Sequence, residues 1–267
     1  MAGEDFMKIA DAHAHIFPSK IAAKATKSIG DFYETEMFNE ASKEKLLETG
    51  GKIGVSKYLV CSSAVTPNQA SHINKFIARE CKKEDRFIGL AALHPKMEDY
   101  KEEIEKAVSY GLRGVKIHSD FQRVDIDDDD TIDFYKEIAR NNLPVLFHMG
   151  DKRYDYSSPI RLKNLMSKVP DLKVMAAHFG GYNRWEDVKS LEPSENLYFD
   201  TSSSLTEIGK DTALKLIEKF GVDKFFFGTD FPMWEPKEEL ERFLSLGLSK
   251  SENEKILYGN FAKFFNI

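Results

Sequence analysis

The sequence predicts an α/β fold of the (β/α)8 TIM-barrel kind, and three observations lead there. Eight short, continuously apolar runs alternate with amphipathic segments at a spacing of roughly 30 residues, the pattern of parallel strands covered by helices. The chain has 267 residues, close to the roughly 250 that such a barrel takes. The competing doubly wound sheet would carry a GxGxxG turn after its first strand, and none follows here.

Taken in order, residues 8–15 (KIADAHAH) form the first expected strand, with Asp11, His13 and His15 of one parity and therefore on one face. Residues 16–54 read as an insertion with helical pieces at 19–28 and 42–49, around the aromatic residues Phe32, Tyr33 and Phe38. Strands follow at 57–62, 86–94, 114–118, 144–148, 173–178, 197–201 and 224–228. Helices are expected at 68–83, 97–110, 131–141, 160–168, 212–220 and 237–246, with a closing helix over 252–265. Gly111 suits the end of one of these and Pro95 stops a strand. The acidic run 125–130 lacks the Gly and Glu that a calcium loop needs, so it reads as a solvated helix start. No linker or repeat divides the chain, which is expected to be one domain over 1–267.

Composition narrows the function. With 42% hydrophobic and 31% charged residues the chain can bury a core. A net charge of -6 and no long basic cluster argue against nucleic acid. Cys61 and Cys81 are too few for a disulfide framework or a cysteine-based zinc site. The N-terminal stretch is acidic where a secretory leader would be basic, and no apolar run spans a membrane; the expected location is the cytoplasm.

The histidines carry the chemical signal. Six of seven fall within or at the ends of predicted strands, His13, His15, His94, His118, His148 and His178, whereas His72 lies on a helix. The last strand runs into Asp230, at the same end. Active sites of such barrels lie at the C-terminal strand ends, so imidazoles and a carboxylate collected there point to a divalent metal.

The motifs DAHAH, GVKIH, FHMG, AHFGG, FGTDFP and the terminal ILYGNFAKFF, in this order along essentially the whole chain, resemble the amidohydrolase superfamily. The likeness is closest to its amidohydrolase-2 branch of metal-dependent hydrolases and of carboxymuconate-semialdehyde and resorcylate type decarboxylases. Carried over by position, the resemblance implies His13, His15, His148 and Asp230 as ligands of one divalent ion. Zinc is the first expectation, manganese or iron the alternatives, and a second metal is not favoured. It makes His178 the imidazole beside the metal and Asp230 the group that accepts and returns the proton of an attacking water. Lys116 and His118 are expected to face substrate rather than, for Lys116, to be carboxylated, and Asp11 to accept hydrogen bonds behind the ligands. Arg153 and Arg184 are candidate partners of a substrate carboxylate. His94 is read as a capping residue.

The expected activity is hydrolysis of a small amide, lactone or ester. The alternative is a nonoxidative decarboxylase of a small unsaturated or aromatic acid, and the third reading is a barrel that binds without catalysis. A small-molecule substrate is the expected partner, with homo-oligomerisation left open.

Overall fold

The computed structural model describes residues 7–267; the first six residues, from which the expectation about a leader was drawn, lie outside them. β1 (Ile9–His15), β2 (Val55–Cys61) and β3 (Phe87–Gly89) form one parallel sheet. β4 (Ala91–Ala92), β5 (Val115–Ile117), β6 (Val145–Phe147), β7 (Val174–Ala176), β8 (Leu197–Asp200) and β9 (Phe225–Phe226) form a second, also parallel. The strand expected over 86–94 is therefore shared between the sheets. Its Leu90 N–H donates to Val60 (3.0 Å) and its Ala91 N–H to Gly114 (2.8 Å), so adjacent residues hold opposite neighbours. At the other seam Ala12 N–H donates to Phe227 (2.8 Å) and His15 N–H to Phe231 (2.7 Å), which completes the ring.

The interior of the ring is small and apolar: Ala10, Ala12, Leu59, Leu90, Leu146, Met175 and Phe226, with Phe261 and Phe265 packed on. Alternate residues such as Val60, Val115, Phe147 and Phe199 face outward into the helical layer. This is the period-2 division that a strand imposes.

On β1 the division slips. Ala10 and Ala12 are interior while Ile9 and Ala14 are outer, and the pairing with β2 is irregular between Asp11 and Ala14. The expectation that Asp11 shares a face with His13 and His15 is corrected accordingly. A local irregularity re-aims one side chain, and Asp11 turns to Thr229 instead.

The helices are α1 (Ser19–Tyr33), α2 (Lys43–Gly51), α3 (Ala70–Lys83), α4 (Tyr100–Ser109), α5 (Ser119–Gln122), α6 (Ile132–Arg140), α7 (Pro159–Lys168), α8 (Trp185–Val188), α9 (Lys210–Phe220), α10 (Pro236–Leu244), α11 (Lys250–Glu254) and α12 (Asn260–Phe265). α1 runs beyond the expected 28 through the aromatic pair and stops only at Glu34, whose backbone is left-handed. The expected closing helix is interrupted by a π-helical turn over Lys255–Gly259. In the acidic run, Asp128 caps a short helical turn, while Asp125 and Asp127 pair with Arg161 of α7. α5 and α8 are single turns that periodicity gave no reason to expect.

Candidate metal centre and active-site cavity

Residues at the C-terminal strand ends meet in one cavity of about 370 Å³, walled by aromatic side chains from α1 and the loop after β5. At its floor, Asp230 Oδ1 lies 3.5 Å from His13 Nε2 and 3.4 Å from His15 Nε2. Such separations match neighbouring ligands around an ion held at about 2.1 Å. Burial opposes ionisation of Asp230, but the adjacent His13 and the hydrogen bond from His15 hold its carboxyl well below the usual range. Two imidazoles and an ionised carboxylate are a donor set that fits a divalent ion.

Each imidazole is aimed from behind. His13 Nδ1 lies 3.0 Å from Asp200 Oδ2, and Asp200 is held at about 2 despite burial because His13 faces it. The carboxylate therefore accepts from Nδ1–H and leaves Nε2 bare toward the cavity. His15 Nδ1 lies 3.7 Å from Cys61 Sγ, again leaving Nε2 forward. Lys116 is fully buried with Nζ 3.0 Å from His13 Nε2, and burial lowers its pKa.

Asp11 accepts from Thr229 Oγ1 (2.6 Å), Thr229 N (3.0 Å) and His13 N (3.1 Å), and burial lifts it to about 7. It ties β1 to the segment that carries Asp230.

His178 stacks beside His13 with ring centroids 5.2 Å apart. Its Nδ1 faces the Ser202 carbonyl (3.1 Å) and hydroxyl (3.0 Å), and burial holds its pKa down at about 3. Its Nε2 meets His148 Nδ1 at 3.0 Å. His148 thus reaches the cavity but turns one nitrogen to His178 and the other, at 3.3 Å, to Asp120. Among the described residues the triads whose ligand atoms all lie within 4.8 Å of one another are His13–His15–Cys61 and His13–His178–Asp200, and His148 is in neither.

His118 lies flat between Phe121 (3.6 Å) and His148 (4.1 Å), with Nε2 2.9 Å from Tyr33 Oη of α1. Phe32 packs edge-on against Phe121 at 4.6 Å. The insertion therefore builds a cavity wall, while Phe38 stays 53% exposed beside Trp234. His94 Nδ1 accepts from Lys96 N (3.1 Å), a cap as expected.

The two arginines expected near substrate are engaged elsewhere. Arg153 grips Asp151 through Nε (3.0 Å) and Nη2 (2.6 Å) and donates from Nη1 to the Phe32 carbonyl (2.6 Å). Arg184 donates to Asp187 (2.8 Å) and Asp155 (2.6 Å). Among the described residues the arginine that lines the cavity is Arg123, and its guanidinium makes no ion pair.

Sequence reasoning passed over Asp200, Ser202, Asp120 and Cys61. Asp200 ends β8 as Asp230 follows β9, so the strand-end rule applied to LYFDT would have found it. Asp120 rides on the single turn α5 and had no signal.

A family model described as amidohydrolase matches residues 10–267. No curated protein matches the sequence. Among solved structures, an uncharacterized TIM-barrel protein of Bordetella bronchiseptica is 21% identical, with a TM-score of 0.80 over 97% of this chain and 98% of that one. A dihydroxybenzoic acid decarboxylase of Polaromonas, with bound manganese and the inhibitor 2-nitroresorcinol, is 17% identical, with a TM-score of 0.74 over 97% of each chain. A Pseudomonas putida protein assigned as a 2-pyrone-4,6-dicarboxylic acid hydrolase is 14% identical, with a TM-score of 0.68 over 97% of this chain and 98% of that one.

Proposed function

Because the chain belongs to the amidohydrolase family, in its amidohydrolase-2 branch, we propose that it is a metal-dependent hydrolase of a small amide, lactone or ester. The observation that carries this reading is the approach of His13 and His15 to one oxygen of an ionised Asp230 at the barrel mouth. These three residues are the proposed ligands, with His148, which lines the same cavity, as the fourth. Zinc suits this set, and manganese, present in the Polaromonas relative, is the alternative.

A divalent ion held there supplies an acidified water and polarisation of a substrate carbonyl. Asp230, ionised beside His13 and His15, takes the proton of the attacking water and returns it to the leaving group. His178, fixed by Ser202 through Nδ1, is the imidazole beside the ion, and its Nε2 accepts from the attacking water in place of its contact with His148. Lys116 and His118 face the reacting carbonyl and the body of the substrate. The aromatic walls exclude water and suit a small, flat molecule.

A second reading is favoured by Arg123. An exposed guanidinium with no ion pair among the described residues, on the cavity wall beside aromatic side chains, suits a carboxylated substrate, as nonoxidative decarboxylation requires. Arg123→Ala should then abolish turnover of acids while leaving neutral esters and lactones untouched; equal turnover of acids by both proteins refutes the lyase.

Among the described residues no helix is long and apolar enough to cross a membrane. We place the enzyme in the cytoplasm, as one domain over 1–267 acting on a small molecule.

The test of the main reading is elemental analysis joined to kinetics. About one equivalent of metal is expected in the purified protein, absent in His13→Ala. Asp230→Asn should lower kcat by 100-fold or more, in the range of lost general-base catalysis. An Asp230→Asn protein with metal and full activity would remove the proton-shuttle role.

A further inference from the structure

Helix α1 covers space rather than core. Of its fifteen residues, Ala22 and Gly30 are the buried ones. Ala25, Ser28, Ile29, Phe32 and Tyr33 recur at the spacing of one helical face, and all five line the cavity. The stripe that a helix normally packs against its neighbours therefore looks into open space, and the position of α1 is set by what holds its ends. Its N-terminal end follows β1 after Ile16, Phe17 and Pro18, so the chain itself anchors it.

At the C-terminal end the tie is Arg153. The last carbonyls of a helix lack partners within it. Here the Gly30 carbonyl accepts from Glu34 N and from Thr35 N (3.0 Å), and the Phe32 carbonyl accepts from Arg153 Nη1 (2.6 Å). The guanidinium carbon also lies 4.8 Å from the centre of the Phe32 ring and 5.5 Å from that of Tyr33. The barrel holds the rest of the group, because Nε and Nη2 form a fork on Asp151 (3.0 and 2.6 Å). Asp151 is 2% exposed and is fixed in turn: its N–H donates to the Tyr182 carbonyl (2.8 Å), and its Oδ1 accepts from Arg153 N (2.9 Å). One guanidinium thus divides its donors between a buried carboxylate of the barrel and the end of the helix over the cavity.

We propose that Arg153, braced by Asp151, is a positioning residue that clasps the C-terminal end of α1 to the barrel and so sets the aromatic wall against which the small molecule lies. This rests on the hydrolase reading only in taking a small molecule as the occupant. Arg153 acts on the site through α1. Releasing the clasp frees Phe32 and Tyr33 to leave Phe121 and His118, which they meet at 4.6 Å between rings and 2.9 Å between Tyr33 Oη and His118 Nε2. The consequence is looser binding of the substrate with the chemistry unaltered.

The experiment is amide hydrogen exchange of the full chain, joined to kinetics of the zinc-loaded protein with 4-nitrophenyl acetate. In Arg153→Ala the amides of residues 29–36 should exchange about tenfold faster, as expected for the loss of one charge-assisted hydrogen bond, while those of β6 and β7 keep their rates. Arg153→Lys keeps the charge without the fork, and Asp151→Asn keeps the arginine while weakening its brace; both should show the same local change. KM for the ester should rise about fivefold with kcat within about twofold of wild type, which is the pattern of lost binding. Unchanged exchange at 29–36 in Arg153→Ala overturns the proposal, and so does faster exchange throughout the barrel, which would make Arg153 a general support of the fold. A fall in kcat at constant KM overturns it too, because the arginine would then act on the reacting atoms. Wild-type protein that turns over no ester counts against the hydrolase reading instead, and the exchange rates, which need neither metal nor substrate, still decide the clasp.

Discussion

Replacing Thr229 by Val removes a hydroxyl while keeping nearly the same shape, and the structure gives the cost. Thr229 Oγ1 donates to Asp11 Oδ2 at 2.6 Å and accepts from Phe231 N at 3.2 Å. All three residues are fully buried, so no water replaces what is lost. Leaving a buried partner unsatisfied costs about 1–3 kcal/mol, more for a charged one. Two orphans give about 2–6 kcal/mol, which for a chain of this size lowers the melting temperature by about 4–12 °C. The assay is thermal unfolding after chelation, so that bound metal does not mask the loss. Thr229→Ser keeps both bonds and should melt within about 2 °C of wild type. A Thr229→Val protein that melts with the wild type would refute the reasoning.

Two further outcomes follow from backbone and burial. Gly150 has φ +86°, and an added Cβ would lie 2.5 Å from both Tyr182 N and O, where the two loops bridge. Gly150→Ala should lose about 2–4 kcal/mol in urea unfolding, from strain and overpacking together. Glu239 is 1% exposed, and burial raises its carboxyl from 4.5 to about 7 even though Arg242 is hydrogen-bonded to it. The folded state binds this proton more tightly than the unfolded chain, so Glu239's contribution to stability falls as pH rises from about 4.5 to about 7 and is level above. Glu239→Gln should flatten that part of the pH–stability curve; an unchanged curve counts against the shift.

Much of the barrel was legible because its strands are continuous apolar runs and its helices amphipathic, both direct consequences of burial on one or two faces. The breaks were not. The switch of partner at Leu90 and the slipped alternation on β1 depend on the register of neighbouring strands, which no local window contains. The same contrast holds at the site. His13, His15 and Asp230 were found because strand ends converge by rule. Asp120 came to the cavity on a one-turn helix, and Arg153 was drawn away by Asp151, two residues earlier, and by the end of α1. Side-chain partners in loops are settled by tertiary geometry, so spacing alone did not show that Arg153 pairs with Asp151 and Arg184 with Asp155 and Asp187.

Ser202 holds one feature with a wider consequence. Its single hydroxyl proton goes to Asp200 at 2.5 Å, while its oxygen lies 3.1 Å from His13 Nδ1 and 3.0 Å from His178 Nδ1. Both imidazoles must therefore point their protons inward and their lone pairs outward. Through His148 the same sense is passed on to the far wall. The mouth of this barrel is thereby polarised before anything enters: the acceptor nitrogens of two imidazoles are aimed by one hydroxyl group behind them.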